Sequence, residues 1–259
     1  MSLGQRLRMF KIVRNMAVAL AVAALLSATA MTDRSDEATF AAQRERMVEL
    51  VANIAASAGV GGMRGIDRSV LDAMRVVPRH RMVPAGQQAH AYDNRPLPIG
   101  HDQTISQPFV VALMTHLLAP RRSDVVLEVG TGSGYQAAIL SRLVRRVYTI
   151  EIVPPLAARA ARNLTDLGYT NIAVRQGDGY AGWPEHGPFD GIMVTAGAER
   201  VPAPLLTQLK RGGRMVIPLG PSGDQQLTLL TKDKHGRISR EKVLPVRFVP
   251  FIRQGGRPR

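Results

Sequence analysis

Glycines and carboxylates gather in one short stretch of this sequence, and their spacing indicates a nucleotide-binding turn. Gly130, Gly132 and Gly134 occupy alternate positions directly after an apolar run, and Glu128 stands just before the first of them. Because glycine has no Cβ atom, the backbone at such positions turns sharply and approaches a ligand closely. A second acid, Glu151, ends the next apolar run along the chain. We therefore expect a ligand to lie against the glycine turn.

The glycine spacing and the acid beside it discriminate between classes of nucleotide. Dinucleotide-binding folds carry G-x-G-x-x-G, whereas this sequence has G-x-G-x-G, with Tyr135 where the third glycine would stand. Glu128 would repel a pyrophosphate but would attract a cation, such as the amino group or the sulfonium of S-adenosylmethionine. We therefore favour S-adenosylmethionine over a nicotinamide dinucleotide. The alternative is that the glycines merely close a turn between a strand and a helix.

The elements that position these residues alternate between strand and helix. Residues 125–129 suit a strand buried on both faces, and apolar residues in 137–143 recur at helical spacing. Further strands are predicted at residues 147–150, 172–174, 189–195 and 215–219, with a turn at Gly212-Gly213 before the last of them. This alternation predicts an α/β fold with a doubly wound, Rossmann-like sheet.

Additional elements are predicted on both sides of this sheet. Helical patterns cover residues 37–58, 67–77 and 108–118, and the first two would form an N-terminal cap. Residues 226–231 and 242–249 alternate as strands around a turn, which predicts a C-terminal β-hairpin.

The composition limits the available chemistry. The chain has no cysteine, and its six histidines form no i, i+4 pair, so we expect neither a disulfide nor a metal centre. The formal net charge is +14, but seven of the positive charges lie within residues 1–30 and 253–259. Because no basic cluster is interleaved with aromatic residues, we expect no specific binding of nucleic acid.

The first thirty residues have the pattern of a secretory signal. They combine a basic start, an apolar run over residues 16–26 and small residues at the end, and the run is too short for a comfortable membrane span. An exported enzyme would lack S-adenosylmethionine, which is a cytosolic metabolite. We therefore expect a cytoplasmic enzyme without a stable membrane span. Export or membrane anchoring through residues 1–30 is the alternative.

One combination of motifs in the middle of the chain resembles a known family. Residues 91–92 (AY), 96–100 (PLPIG) and 103–108 (QTISQP) precede LEVGTGSGYQ in this order. The combination closely resembles the protein-L-isoaspartate O-methyltransferases, and the resemblance extends from about residue 44 to residue 250. Asp102 departs from the pattern, since we expect glycine there in bacterial relatives. Its carboxylate would either weaken the binding of an anionic substrate or point into solvent.

The resemblance implies where the substrate and the cofactor meet. In the family the Thr-Ile-Ser segment lies between the two, which implies that place for Thr104, Ile105 and Ser106, with Gln103 beside them. Ser106 is our candidate catalytic residue, because its hydroxyl could hold the substrate carboxylate by a hydrogen bond. It could instead be the N-cap of the helix that begins at Pro108.

Two carboxylates at strand ends are candidates for binding the adenosyl half. Glu151 stands where Rossmann-like folds present an acid to ribose hydroxyls, although it could instead stabilise the start of the next helix. Asp178 could accept a hydrogen bond from the adenine amino group, as the resemblance implies, or from its own backbone in a turn. The predicted cofactor-binding set is Gln103, Thr104, Ile105, Glu128, Gly130, Gly132, Gly134, Glu151, Asp178 and Gly179.

The implied activity is methylation of the free α-carboxylate of L-isoaspartyl residues in damaged proteins and peptides, with S-adenosylmethionine as donor and without a metal. That carboxylate, with a pKa of about 4, is already ionised at neutral pH, so no strong base is needed. Three alternatives are an RNA or small-molecule methyltransferase, a nicotinamide-dependent oxidoreductase and a non-catalytic protein that binds S-adenosylmethionine. The sequence leaves the oligomeric state open.

The same reasoning divides the chain into four parts. We expect residues 1–30 to form a signal-like or upstream leader, and residues 31–107 to contain the N-terminal helices and the substrate loop. Residues 108–252 form the core that binds S-adenosylmethionine, and residues 253–259 form a basic tail.

Overall fold

The structure, a computed structural model, describes residues 36–57, 59 and 65–253. The predicted leader (1–30) and residues 254–259 of the predicted tail lie outside the described residues. The chain divides into two compact units, Met1–Gln43 and Arg44–Arg259, and residues 36–43 of the first unit are helical. Within the described ranges, no helix is long and apolar enough to cross a membrane.

The helices and strands follow the alternation that the sequence predicts. The helices are α1 (residues 36–57), α2 (Arg68–Val76), α3 (Pro108–Leu118), α4 (Tyr135–Ser141), α5 (Pro154–Asp166) and α6 (Ala203–Gln208), with short 3-10 helices at Arg79–Met82, Ala85–His90, Gly179–Ala181 and Pro184–His186. The strands are β1 (Leu97–Gly100), β2 (Gln103–Ile105), β3 (Val125–Val129), β4 (Arg146–Glu151), β5 (Ile172–Gln176), β6 (Phe189–Val194), β7 (Leu209–Leu219), β8 (Gln225–Lys232) and β9 (Ile238–Val246).

A seven-stranded sheet with the order β5-β4-β3-β6-β7-β8-β9 forms the centre of the fold. Strands β5, β4, β3, β6 and β7 pair in parallel, whereas β8 and β9 add an antiparallel hairpin at the β7 edge. Strand order reverses around β3, which gives the doubly wound topology that the sequence predicts. In such sheets ligands bind beyond the carboxyl ends of the strands. The end of β3 is therefore where a site is expected.

A buried apolar cluster holds the middle strands of this sheet together. Its members include Leu127, Ile150, Phe189, Ile192 and Met215. The side chains of β3 are buried on both faces, as the continuous apolar run of this strand predicts. This burial fixes the position at which β3 ends and the glycine turn begins.

The glycine pair of β7 corrects one sequence prediction. Gly212 and Gly213 lie inside β7, and the predicted turn at this pair is therefore wrong. Leu209 pairs with Phe189, but the next partners are Arg214 and Gly191, so β7 carries a bulge at the glycines. A Cβ atom on Gly213 would lie 2.8 Å from the carbonyl oxygen of Asp190. Close approach of two backbones explains the glycine here, and the chain does not reverse.

The separate β1–β2 hairpin turns through two residues with positive φ. His101 and Asp102 both have φ of 55°, and the left-handed region costs a non-glycine residue free energy. We expect Asp102→Gly to raise the thermal midpoint by about 1–3 °C, because it relieves this strain. Asp102→Ala is the matched control, which keeps the Cβ atom and gives no such gain. A lower midpoint for the glycine variant in thermal unfolding would contradict this expectation.

Candidate active site

The glycine turn connects β3 to α4 with positive φ at all three glycines. Gly130, Gly132 and Gly134 have φ of 98°, 53° and 88°. A Cβ atom on Gly130 would stand 2.3 Å from the hydroxyl oxygen of Thr195, a distance that no side chain tolerates. Gly132 faces the side chain of Ile99 from the β1–β2 hairpin. The turn therefore exposes bare backbone toward the hairpin above it.

A cavity between this turn and the β1–β2 hairpin brings together most of the predicted site. Seven of the predicted site residues line it, namely Gln103, Thr104, Ile105, Ser106, Gly130, Gly132 and Glu151. Ile105 is buried, which gives the cavity an apolar wall on the hairpin side. The remaining four predicted residues, Glu128, Gly134, Asp178 and Gly179, do not line this cavity.

Glu151 is held at the cavity by two backbone donors. Its Oε2 atom accepts a hydrogen bond of 2.7 Å from the Gly132 amide, and its Oε1 atom accepts one of 3.0 Å from the Val153 amide. The side chain is 95% buried, so its orientation is fixed before any ligand binds. A carboxylate has about four acceptor positions, which leaves positions for two ligand hydroxyls.

Glu128 lies beneath the turn and does not reach the cavity. Its side chain is fully buried, and the Thr149 hydroxyl donates a hydrogen bond of 2.5 Å to its Oε2 atom. Burial raises the pKa of Glu128 to about 8, partly opposed by this hydrogen bond and reinforced by repulsion from Glu151. The position does not support the direct contact with a cationic ligand that the sequence predicts. The strand turns this side chain into the core, an orientation that apolar spacing alone cannot define.

The raised pKa of Glu128 predicts a stability difference that depends on pH. Between about pH 4.5 and pH 8 the folded protein keeps a proton that the unfolded chain releases, so the free energy of unfolding falls as the pH rises. We expect the wild type to lose on the order of 1 kcal/mol per pH unit relative to Glu128→Gln in this window. Urea denaturation from pH 5 to pH 8 measures the difference. Parallel stability curves would show that Glu128 ionises normally.

Asp178 and the two remaining glycines have structural partners outside the cavity. The Asp178 Oδ1 atom accepts a hydrogen bond of 2.9 Å from the Tyr180 amide, the turn arrangement that the sequence left open as an alternative. Gly179 packs against Val129, since an added Cβ would stand 2.3 Å from its Cγ1 atom, and Gly134 packs against Leu164. The Gly177 amide donates to the Glu151 carbonyl at 2.9 Å, so Asp178 follows a direct neighbour of the cavity.

A second cavity adjoins the first across the Thr-Ile-Ser segment. It has a volume of about 630 Å³, and Thr104, Ser106, Thr195 and Val249 line both cavities. Asp102 lines neither of them and is exposed. The Thr-Ile-Ser segment therefore separates the cavity at the glycine turn from a larger cavity beside residues 244–249, at the end of β9.

The structure decides against Ser106 as a helix cap. The N-cap of α3 is Gln107, and no side-chain hydrogen bond caps it. The amide of Phe109, in the first turn of the helix, donates to the Asn94 Oδ1 atom at 3.0 Å. The Ser106 hydroxyl is therefore not used by the helix start.

Several residues of the site were not predicted from the sequence. Thr195, at the end of β6, donates from its hydroxyl to the carbonyl oxygens of Val129 and Gly130 at 3.0 and 2.6 Å. Residues 249–252 close the first cavity from the C-terminal side. Thr195 could have been predicted, because it follows a parallel strand that ends at the same edge of the sheet as β3. No local sequence feature indicated residues 249–252. Within the described residues, no group of three His, Cys, Asp or Glu side chains is arranged to hold a metal ion.

The sheet and its cavity define a class I methyltransferase fold. The family model of protein-L-isoaspartate(D-aspartate) O-methyltransferases (PCMT) matches residues 62–256. The chain is 52% identical to protein-L-isoaspartate O-methyltransferase 1 of Cupriavidus necator over 236 residues, 90% of this chain and 89% of that protein. It is 59% identical to protein-L-isoaspartate O-methyltransferase 2 of Syntrophobacter fumaroxidans over 191 residues, 73% of this chain and 77% of that protein. The chain belongs to the PCMT family.

Solved structures show the same fold. A protein-L-isoaspartate O-methyltransferase superposes with a TM-score of 0.70 at 29% identity, over 80% of this chain and 65% of that chain, just under two thirds of its length. A beta-aspartate methyltransferase (PCMT) from Plasmodium falciparum in complex with S-adenosyl-L-homocysteine has a TM-score of 0.67 at 24% identity, over 82% of this chain and 99% of that chain.

Proposed function

We propose that this chain transfers a methyl group from S-adenosylmethionine to the free α-carboxylate of L-isoaspartyl residues in damaged proteins and peptides. The observation that carries the proposal is the hairpin segment with Thr104 and Ser106, which forms a wall shared by two adjoining cavities. A donor in one cavity and an acceptor in the other would meet across this segment. Family membership supplies the chemistry of the two ligands.

The residues of the first cavity fit S-adenosylmethionine. Glu151 presents a buried carboxylate that can accept hydrogen bonds from ribose hydroxyls, and Gly130 and Gly132 offer backbone without Cβ atoms to the rest of the donor. We assign the facing wall to Gln103, Thr104 and Ile105. When bound, S-adenosylmethionine supplies an electrophilic methyl group.

We retain the adenine contact of Asp178 as a proposal and reassign two glycines. Asp178 and Gly179 follow the β5 end beside Glu151, so an adenine that extends from the ribose past Ile150 would approach them. Gly134 and Gly179 have a structural role instead, because they pack against Leu164 and Val129, which leave little room for a Cβ atom. Glu128 supports the strand beneath the turn.

The chemistry requires alignment of the reacting atoms and needs no base. A carboxylate is already ionised at neutral pH and is itself the nucleophile, so Ser106 only holds it in place. The oxygen gains the methyl group as the sulfur–methyl bond breaks, and the opposite charges of the two reactants neutralise. Ile105, which is buried and lines the first cavity between Thr104 and Ser106, keeps water away from this point. Orientation and exclusion of water therefore supply most of the rate enhancement.

The decisive experiment compares matched peptides that contain L-isoaspartyl or L-aspartyl at one position. With labelled S-adenosylmethionine, we expect label to enter only the isoaspartyl peptide and to be released by mild alkali as methanol, as a carboxyl ester requires. Alkali-stable label in RNA or a small molecule would establish one of the alternative methyltransferase activities. Binding of S-adenosylhomocysteine without transfer to any acceptor would establish a non-catalytic protein.

We also propose a cytoplasmic location and the division into the four segments given above. The location is supported by the supply of S-adenosylmethionine in the cytosol. The proposed partners are the damaged proteins themselves, with no specific nucleic acid among them. Mass analysis of the N-terminus of the protein purified from its native host tests whether residues 1–30 are retained. A mature chain that begins near residue 31 in an exported fraction would contradict the proposed location.

A further inference from the structure

A completely buried arginine stands directly behind the Thr-Ile-Ser segment. Arg79 begins the short helix after α2, and its side chain has no exposed surface. Its Nε atom donates to the Ala91 carbonyl at 2.7 Å, and its Nη2 atom donates to the Ser106 carbonyl at 2.8 Å. The guanidinium therefore fixes the main chain of the residue that we place against the substrate.

No carboxylate neutralises this arginine among the described residues. Neither a salt bridge nor a hydrogen bond to an acid involves Arg79, and its Nη1 atom has no hydrogen-bond partner in the described part of the chain. Its Cζ atom lies 4.9 Å from the ring centre of Tyr135, which lines the first cavity. Burial lowers the pKa of Arg79 to about 10, so the group is still a cation at neutral pH.

An uncompensated cation in the protein interior is costly, and the low local polarity also makes it a strong attractor for an anion. The bond to the Ser106 carbonyl places the charge roughly 6 Å from the Ser106 hydroxyl. Ser106 lines the cavity that we assign to the substrate. Ser106 also lines the first cavity, as does Tyr135, so one residue separates the guanidinium from each of the two cavities that an external anion can enter.

We infer that the substrate α-carboxylate is the counter-charge of Arg79, and that this arginine selects a carboxylate over a neutral acceptor. Arg79 is a positioning residue, since it acts through Ser106 and does not contact the substrate. The inference rests on the proposed function, because it requires an anionic acceptor in the second cavity. Methylation removes the charge, so the neutral ester loses this attraction and leaves more readily than the substrate.

The test measures the preference for a carboxylate directly. Dissociation constants are determined by calorimetry for an isoaspartyl peptide and for the same peptide with an α-carboxamide, both with the full-length enzyme saturated by S-adenosylhomocysteine. We expect Arg79→Met to lower the ratio of the two constants by about tenfold, through weaker binding of the carboxylate peptide alone. Arg79→Lys loses one of the two carbonyl bonds but keeps a positive charge, and is therefore expected to retain the ratio within about threefold.

Arg159, in α5, provides a matched control because it bonds to the β1–β2 hairpin. It is half-buried and donates to the Ile99 carbonyl of β1, so Arg159→Met also removes an arginine bond to the hairpin backbone. We expect this variant to leave the ratio unchanged, whatever its effect on both affinities. If the role of Arg79 were merely structural, Arg79→Met would weaken the binding of both peptides by the same factor and would also leave the ratio unchanged.

Each outcome decides the question. Equal weakening of both peptides by Arg79→Met, or a ratio that Arg79→Lys fails to retain, overturns the inference. Should Arg79→Met not fold, as judged by lost binding of S-adenosylhomocysteine, Arg79→Gln, which removes the charge and keeps an amide donor, takes its place: a ratio lowered by about tenfold supports the inference and an unchanged ratio overturns it. Failure of the proposed function has a different signature, because the wild type would then neither bind nor methylate the isoaspartyl peptide.

Discussion

Replacing Ser106 by alanine lowers kcat/KM for an isoaspartyl peptide by about 10- to 100-fold, because a hydrogen bond to a charged group contributes about 1.5–3 kcal/mol. Ser106 lines both cavities, and its side chain does not cap α3. Its loss leaves the carboxylate without a donor at the point where it must align with the methyl group. Steady-state kinetics with a synthetic isoaspartyl peptide measures the effect.

The conservative variant and the cofactor affinity separate this role from general damage. Ser106→Thr retains a hydroxyl and is expected to keep more activity than Ser106→Ala. The dissociation constant of S-adenosylhomocysteine is expected to change by less than about threefold in both variants, since Glu151 and the glycine turn are intact. Unchanged turnover in Ser106→Ala would remove this serine from the reaction.

The sequence predicted those helices and strands whose ends are defined by residues close to them in the chain, such as prolines and capping side chains. Helix α3 spans the predicted residues Pro108–Leu118, because proline at its first turn and Pro120 after its end define both boundaries. The Asp67 side chain caps α2 by accepting from the Ser69 amide, as expected of an aspartate before an apolar helix. The doubly wound sheet and the C-terminal hairpin followed from the order of such elements.

Contacts between distant segments decided the features that the sequence did not reveal. An amide in the first turn of α3 donates to Asn94, which is 15 residues away from Phe109 in the sequence, and Gln107 rather than Ser106 is the N-cap. Gly213 lies in a bulge of β7 and close to the backbone of Asp190, whereas a glycine pair alone is equally typical of a turn. Arg79 follows Val77-Pro78 like any surface arginine, and only the fold buries it against Ser106.

Replacing Glu151 by glutamine weakens the binding of S-adenosylhomocysteine by about 100-fold, the largest effect that we expect in the first cavity. Both oxygens of Glu151 already accept bonds from backbone amides, of Gly132 and Val153. Glutamine must turn its NH₂ group toward one of these donors, so two donors face each other and the turn shifts. The amide also offers one acceptor oxygen in place of two to the ribose hydroxyls.

The same substitution on the neighbouring strand provides the control for this prediction. Glu128→Gln changes a carboxyl group that is fully buried beneath the turn and outside the cavity, so we expect the affinity at pH 7 to change by less than about threefold. Calorimetry with S-adenosylhomocysteine compares the two variants. If Glu151→Gln binds this compound as tightly as Glu128→Gln, the Glu151 carboxylate only shapes the turn and the ribose must be held by other groups.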